Sequence, residues 1–159
     1  MLNIPNSVKL IIADFDGIMT DNCIYIDKNL DFSRKLNFKD IMAVSRLRRA
    51  GFEIIFVSGE KNPVIDLLAE KFNMEENYQD IRKKIDVIKE IVNRKSLKQG
   101  EFVYMGDDIN DKESLEFSDV KVTVPNAVKS IKSIEGIQIT EAQGGSGAFR
   151  EVADCLLNI

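Results

Sequence analysis

The sequence predicts a three-layer α/β/α fold, a doubly wound and mostly parallel sheet with helices on both faces. Two observations carry that expectation. Short apolar, β-branched runs alternate with segments of helical period along nearly the whole chain, the pattern of successive strand–helix units. The first run, Val8 to Ala13, is apolar almost without a break, as in a strand buried on both faces. It then switches abruptly to Asp14-Phe15-Asp16-Gly17. In open α/β sheets, ligands bind beyond the carboxyl ends of the strands, so an acidic cluster there is a candidate for chemistry.

The remaining elements follow in order. Cys23 to Ile26 and Arg34 to Phe38 read as two short strands. The turn-rich Asp27-Lys28-Asn29-Leu30-Asp31 joins them into a hairpin, a flap over about residues 22–38 that directly follows the acidic motif. Asp40 is placed to cap a helix reaching about Ala50, with Ile41, Val44 and Leu47 on one side and Gly51 at its C-cap. Phe52 to Val57 is a second buried strand ending in Ser58-Gly59-Glu60. Asn62-Pro63 opens a helix to about Phe72, with proline in the first turn where its missing N–H does no harm. Tyr78 marks a very short strand, and Ile81 to Arg94 is a helix with Ile81, Ile85, Ile88 and Val92 on one face.

Glu101 to Met105 is the next strand, leading into Gly106-Asp107-Asp108-Ile109-Asn110-Asp111 and a helix to about Phe117. A strand at Val120 to Val124, a helix near Ala127 to Ile131 and a strand at Ile137 to Ile139 come after it. The loop Gly144-Gly145-Ser146-Gly147 then introduces a terminal helix. No repeat or low-complexity linker interrupts the 159 residues, so a single domain over 1–159 is expected.

Composition narrows the function. Hydrophobic residues at 44% and charged ones at 30% describe an ordinary soluble globule. A net charge of −4 with no basic stretch argues against nucleic acid as a partner. No apolar run approaches a membrane span, and the N-terminus does not read as a signal peptide. Cys23 and Cys155 are too few for a disulfide framework and read as reduced thiols of a cytoplasmic protein. The chain has no histidine, which excludes a Ser-His-Asp triad, a phosphohistidine and histidine-based zinc sites. Acid–base chemistry must fall to Asp, Glu, Lys, Tyr or Cys.

Asp14 and Asp16 at one strand end are like charges that need a cation or a shared proton, and a hard ion such as Mg²⁺ bound through oxygen is the economical answer. A carboxylate held beside a metal that also grips a phosphate can attack phosphorus, while its neighbour moves a proton. Ser58-Gly59 offers a hydroxyl and backbone N–H groups to such a phosphate, and Gly106-Asp107-Asp108 repeats the paired-carboxylate logic. Each cluster alone has a plainer reading: a solvated turn, a loop, an acidic helix cap. Lys84 alone is a surface lysine by base rate.

Taken together and in order, Asp-x-Asp, Ser-Gly, Lys and Gly-Asp-Asp-x-Asn-Asp resemble the haloacid dehalogenase-like phosphotransferase superfamily over essentially the whole chain. The resemblance implies Asp14 as the nucleophile that forms an aspartyl-phosphate and Asp16 as general acid/base. It implies Ser58 and Lys84 as phosphoryl-binding groups. Asp14, Asp107 and the backbone carbonyl of Asp16 become Mg²⁺ ligands, Asp108 orients Lys84, and Asp111 supports the loop. About 36 residues lie between Asp21 and Ser58, too few for a cap domain beyond the flap and helix, so the chain looks like a capless member.

The ending Gly144-Gly145-Ser146-Gly147-Ala148-Phe149-Arg150-Glu151 is similar to that of the 3-deoxy-D-manno-octulosonate 8-phosphate phosphatases and their nonulosonate 9-phosphate relatives. That group implies a homotetramer in which a neighbouring subunit's flap closes each active site and the glycine-rich tail brings its arginine to substrate. Glu60, Lys71 eleven positions on, and Phe149 before Arg150 resemble the enzymes of the nine-carbon sugar acids. Asp80, where the group has Gly, and Leu68, where a bacterial nonulosonate phosphatase has Arg, depart from the pattern. The expected function is a Mg²⁺-dependent phosphatase of a 3-deoxy-nonulosonate 9-phosphate, in sialic-acid-type (KDN or N-acylneuraminate) synthesis, with Glu60, Lys71 and Arg150 binding substrate. The alternatives are the eight-carbon octulosonate 8-phosphate of lipopolysaccharide synthesis and, from another class, a non-catalytic oligomerisation module.

Overall fold

A computed structural model describes residues 2–159. Its strands are β1 (Leu10–Ala13), β2 (Tyr25–Ile26), β3 (Phe32–Ser33), β4 (Glu53–Phe56), β5 (Phe102–Met105), β6 (Val120–Thr123) and β7 (Gln138–Ile139). Its helices are α1 (Phe38–Arg49), α2 (Pro63–Phe72), α3 (Lys84–Arg94), α4 (Lys112–Phe117), α5 (Lys129–Lys132) and α6 (Ala148–Leu157). Five strands form one parallel sheet in the order β4-β1-β5-β6-β7, and β2 and β3 pair separately as the antiparallel flap. After β1 the chain steps one way to β4, then crosses back over β1 to β5. With right-handed crossovers, that reversal puts successive helices on opposite faces. Accordingly α1 packs with α6, and α3 with α4.

The reversal also fixes where chemistry can occur. β1 is central, with Ala13 paired to Phe56 on one side and Met105 on the other, so three carboxyl ends finish side by side. The strands are apolar because both faces are covered: Ile11, Ala13, Phe56, Val103 and Met105 are wholly buried. Apart from Ala13, each of these side chains stabilises the fold by about 1.5–3 kcal/mol. Phe15 meets Phe56 edge-on at 5.2 Å, and Phe149 of α6 lies 6.0 Å beyond it, tying the acidic loop to the sheet and to α6. Among the described residues no helix is long and apolar enough to cross a membrane.

Three boundaries differ from the sequence expectation. The second flap strand is Phe32–Ser33 rather than 34–38, because the Asp27 carboxylate accepts from the amides of Asn29 (2.8 Å) and Asp31 (3.0 Å) and closes the turn early. Arg34 is thereby released from the ladder, Leu36 bridges Thr20, and Phe38 starts α1. Asp40 does not cap its own helix. Asn37 does, accepting from Lys39 N, and the buried Asp40 carboxylate accepts from Gly147 N (3.0 Å) and Arg150 N (2.9 Å), so it caps α6 instead. The third helix starts at Lys84 rather than Ile81, because Asp80 is left-handed (φ 58°) and Ile81 N donates to Ser58 O at 3.1 Å. That φ accounts for the glycine expected at position 80, and aspartate is among the few residues that tolerate it.

Candidate active site

β1 delivers Asp14 directly, while Ser58 and Asp107 each sit two residues beyond the ends of β4 and β5. The loop after Asp14 passes so close to Asp107 that a Cβ on Gly17 would lie 2.0 Å from its Oδ2, and Gly17 has φ +87°. Only glycine fits both demands. The glycine-rich loop presses on the same segment, since Gly144 has no room for a Cβ beside Gly17 O, and Gly145 N donates to Ile18 O at 2.9 Å.

Lys84, the first residue of α3, is fully buried, with its ammonium 2.7 Å from Asp14 Oδ2 and 2.8 Å from Asp111 Oδ1. Burial alone would lower its pKa, but Asp111 and Asp14 outweigh that and raise it, so it stays charged. The expectation that Asp108 orients Lys84 is corrected, because Asp111 does. Asp108 instead caps a short 3-10 turn (Ile109–Asp111) by accepting from Ile109 N, and that turn aims Asp111 inward.

The carboxylate oxygens of Asp14, Asp107 and Asp111 lie within 4.8 Å of one another. Asp111 is nonetheless a poor metal ligand. Its Oδ1 also accepts from the Tyr104 hydroxyl, and its Oδ2 from the amides of Asp107 and Asp108. Asp107 is the opposite case: among the described residues Oδ2 accepts only from Asn22 Nδ2 at 3.2 Å, and the buried Oδ1 has no partner. Burial, then Asp111 and Lys84 acting in opposition, leaves the Asp14 carboxyl well above its ordinary range. Burial with the Asp111 and Asp108 charges raises Asp107 to about 7. Two crowded carboxylates, one with an orphaned oxygen, fit a hard oxygen-seeking divalent cation.

That crowding predicts how the metal-free protein responds to pH. A carboxyl whose folded pKa lies above its unfolded value loses stability as pH rises between the two. For Asp107 the window runs from 3.8 to about 7. At ~1.4 kcal/mol per unit, its ceiling is about 4 kcal/mol. In chelator, the melting temperature is expected to fall across that window more than with Mg²⁺ present, and Asp107→Asn should flatten the fall. Identical profiles with and without Mg²⁺ would remove Asp107 from the metal site.

These groups open onto a cavity of about 370 Å³ whose walls include Asp14, Asp16, Ser58, Glu60, Asp107 and Asp108. Lys71 and Arg150 do not reach it. Lys71 sits at the far end of α2, roughly 12 Å along the axis from Pro63, with its ammonium over the Phe72 ring. Arg150 pairs with Asp154 and lines a larger cavity of about 790 Å³ beside α6, to which none of Asp14, Asp16, Ser58 and Asp107 contributes. Asn22, Arg82 and Asn110 line the smaller cavity without having been anticipated. The only sequence signals were the basic run Arg82-Lys83-Lys84 and the Asn inside the acidic motif. Arg34 was also missed: it reaches from the flap to place Nε 3.0 Å from Asp16 Oδ1.

A family model described as haloacid dehalogenase-like hydrolase matches residues 69–146, a span that contains Lys84 and the Asp107–Asp111 run. Over that span the chain matches the haloacid dehalogenase-like hydrolases. The match and the relatives below support an enzyme of the phosphoric monoester hydrolase class. The chain is 24% identical over 151 residues to the 3-deoxy-D-manno-octulosonate 8-phosphate phosphatase of Escherichia coli (strain K12), covering 95% of this chain and 80% of that protein. A putative hydrolase of the same superfamily (subfamily III A) from Legionella pneumophila superposes with a TM-score of 0.88 at 28% identity, over 96% of this chain and 84% of that one. The octulosonate 8-phosphate phosphatase of Moraxella catarrhalis, whose crystal structure holds magnesium, phosphate and KDO, shares the fold with a TM-score of 0.87 at 22% identity. That match covers 96% of this chain and 87% of that one.

Proposed function

We propose that this hydrolase is a Mg²⁺-dependent phosphatase of a phosphorylated 3-deoxy keto sugar acid, working through a phosphoaspartate on Asp14. The observation that carries the reading is the buried Lys84 ammonium against Asp14, with the unpartnered Asp107 oxygen nearby. Mg²⁺ held by Asp14 and Asp107 would supply charge neutralisation for the carboxylates and the phosphoryl oxygens. Asp14 attacks phosphorus and the phosphorus–sugar oxygen bond breaks, the departing oxygen taking a proton from Asp16. Water then gives a proton to Asp16 as it attacks the phosphoaspartate, and the Asp14–phosphorus bond breaks to release phosphate. Lys84 and Ser58 face the equatorial oxygens, where charge accumulates.

The relatives' names favour 3-deoxy-D-manno-octulosonate 8-phosphate as substrate over the nine-carbon acid expected from the sequence. Glu60 in the cavity wall keeps the nine-carbon 9-phosphate as a second reading, since a carboxylate there accepts from sugar hydroxyls and repels the substrate's own carboxylate. Closure by a neighbouring subunit within a tetramer is supported by the apolar exposure of the flap, where Ile26 is 65%, Leu30 81% and Phe32 63% exposed. Arg150 and Lys71 would have to act from such a neighbour.

A phosphate-release assay over both sugar-acid phosphates, with Mg²⁺ and with chelator, tests these points. Release is expected with Mg²⁺ only, with higher kcat/KM on the eight-carbon compound. Glu60→Arg is expected to widen that preference about ten- to a hundredfold, the worth of one charged hydrogen bond. A preference for the nine-carbon compound that Glu60→Arg reverses would establish the second reading. No release from either compound would remove the substrate class.

A further inference from the structure

We propose that Arg34 is a positioning residue for Asp16, making the flap part of the acid–base apparatus as well as a cover. Arg34 immediately follows β3 and turns back from the flap to put Nε 3.0 Å from Asp16 Oδ1, the two side chains being only 16% and 20% exposed. A pair that far out of solvent is screened much less than a surface pair. Thr20 Oγ1 donates to the same Oδ1 at 3.1 Å, and Thr20 is itself held by the amides of Gly17 (3.2 Å) and Asn22 (3.3 Å). Oδ1 is thus fixed from two sides, and Oδ2 has no protein hydrogen bond among the described residues. Oδ2 is therefore the oxygen presented for proton transfer.

Anchoring the flap does not require this contact. Asp21 already fastens it, accepting from the Tyr25 hydroxyl at 2.7 Å and pairing with Lys35 at 3.5 Å. The Arg34 contact lands instead on Asp16, while Lys84 pairs with the other carboxylate of the acidic motif, Asp14. The guanidinium is also seated 5.6 Å from the Phe32 ring centroid, so its position follows that of the flap. Its planar, delocalised fork holds a carboxylate in one orientation, which a flexible ammonium does less well. The alignment of Asp16 is therefore complete only when the hairpin lies down over the loop.

The inference rests on the phosphatase reading for its kinetic consequence but not for the contact itself, so the experiment has two arms. In the first, Arg34→Gln is assayed with Mg²⁺ on octulosonate 8-phosphate and on p-nitrophenyl phosphate. kcat on the sugar phosphate is expected to fall about ten- to a hundredfold with KM within about twofold, and Arg34→Lys to recover part of the loss. Phosphoryl transfer from p-nitrophenyl phosphate needs no proton for its leaving group, whereas water attack still needs Asp16. The variant should therefore release p-nitrophenolate in a burst of about one equivalent before slow turnover. Adding Arg34→Gln to Asp16→Asn should cost no further activity. A raised KM with kcat unchanged, an unchanged kcat, or a further loss in the double variant would overturn the proposal.

In the second arm, amide hydrogen exchange is followed over β2 and β3. Arg34→Gln and Asp16→Asn should each speed exchange there to the same extent, and the double variant no further. Exchange unaltered by Asp16→Asn would overturn the link. A wild-type protein that releases phosphate from neither compound would defeat the phosphatase reading while this arm still decided the contact.

Discussion

Asp14→Asn is expected to lower phosphate release by at least about a thousandfold while leaving the melting temperature at or above that of the wild type. The two halves of that result have one cause. Asp14 is 6% exposed at the end of the central strand, with Asp111 and Asp107 close by and only Lys84 opposing them. Without a cation beside it its charge is costly, and the neutral amide relieves the repulsion while its oxygen still accepts from Lys84. Nothing in β1 or its pairing with β4 and β5 depends on that charge. The proposed chemistry does, because an amide has no anionic oxygen with which to attack phosphorus. Near-normal turnover in Asp14→Asn, measured with saturating Mg²⁺, would sink the covalent mechanism.

The parts of this site that could be read from the sequence are those set by strand ends. An apolar run that stops at an aspartate places that aspartate at the rim of a parallel sheet whatever the loops do. Asp14, Ser58 and Asp107 converge because β4, β1 and β5 are neighbours. Roles set by a single turn were not legible. In the run Asp107 to Asp111, which carboxylate faces inward depends on the 3-10 turn. The Asp-x-x-Asp spacing of its capping box was the signal, and it points Asp111 at Lys84 and Tyr104 and leaves Asp108 outside. Arg34 was hidden by hairpin register, since a turn closed by Asp27 takes it out of the ladder and frees it to reach Asp16. Lys71 does not reach the cavity of its own chain for a simpler reason: eleven residues that include a helix carry a side chain away from the rim instead of along it.

Lys84→Met is expected to damage fold and chemistry together, unlike Asp14→Asn. Among the described residues Lys84 is the one cation set inside the cluster, at 2.7 Å from Asp14 and 2.8 Å from Asp111, with no exposure to water. Removing one partner of a buried ion pair leaves uncompensated charge, typically at a cost of about 3–5 kcal/mol. In the proposed mechanism the ammonium stands opposite the transferring phosphoryl group, and losing it should lower kcat by at least about a hundredfold. Adding Asp111→Asn separates the two effects. The amide oxygen can take the N–H groups of Asp107 and Asp108, and its nitrogen can donate to the Tyr104 hydroxyl, so no unpaired charge remains at that position. The double variant should regain more than half of the lost stability in urea unfolding of the metal-free protein, yet none of the activity. A Lys84→Met protein as stable as the wild type would mean that the ion pair does not hold this end of α3 in place. A double variant with restored turnover would mean that Lys84 serves only the fold.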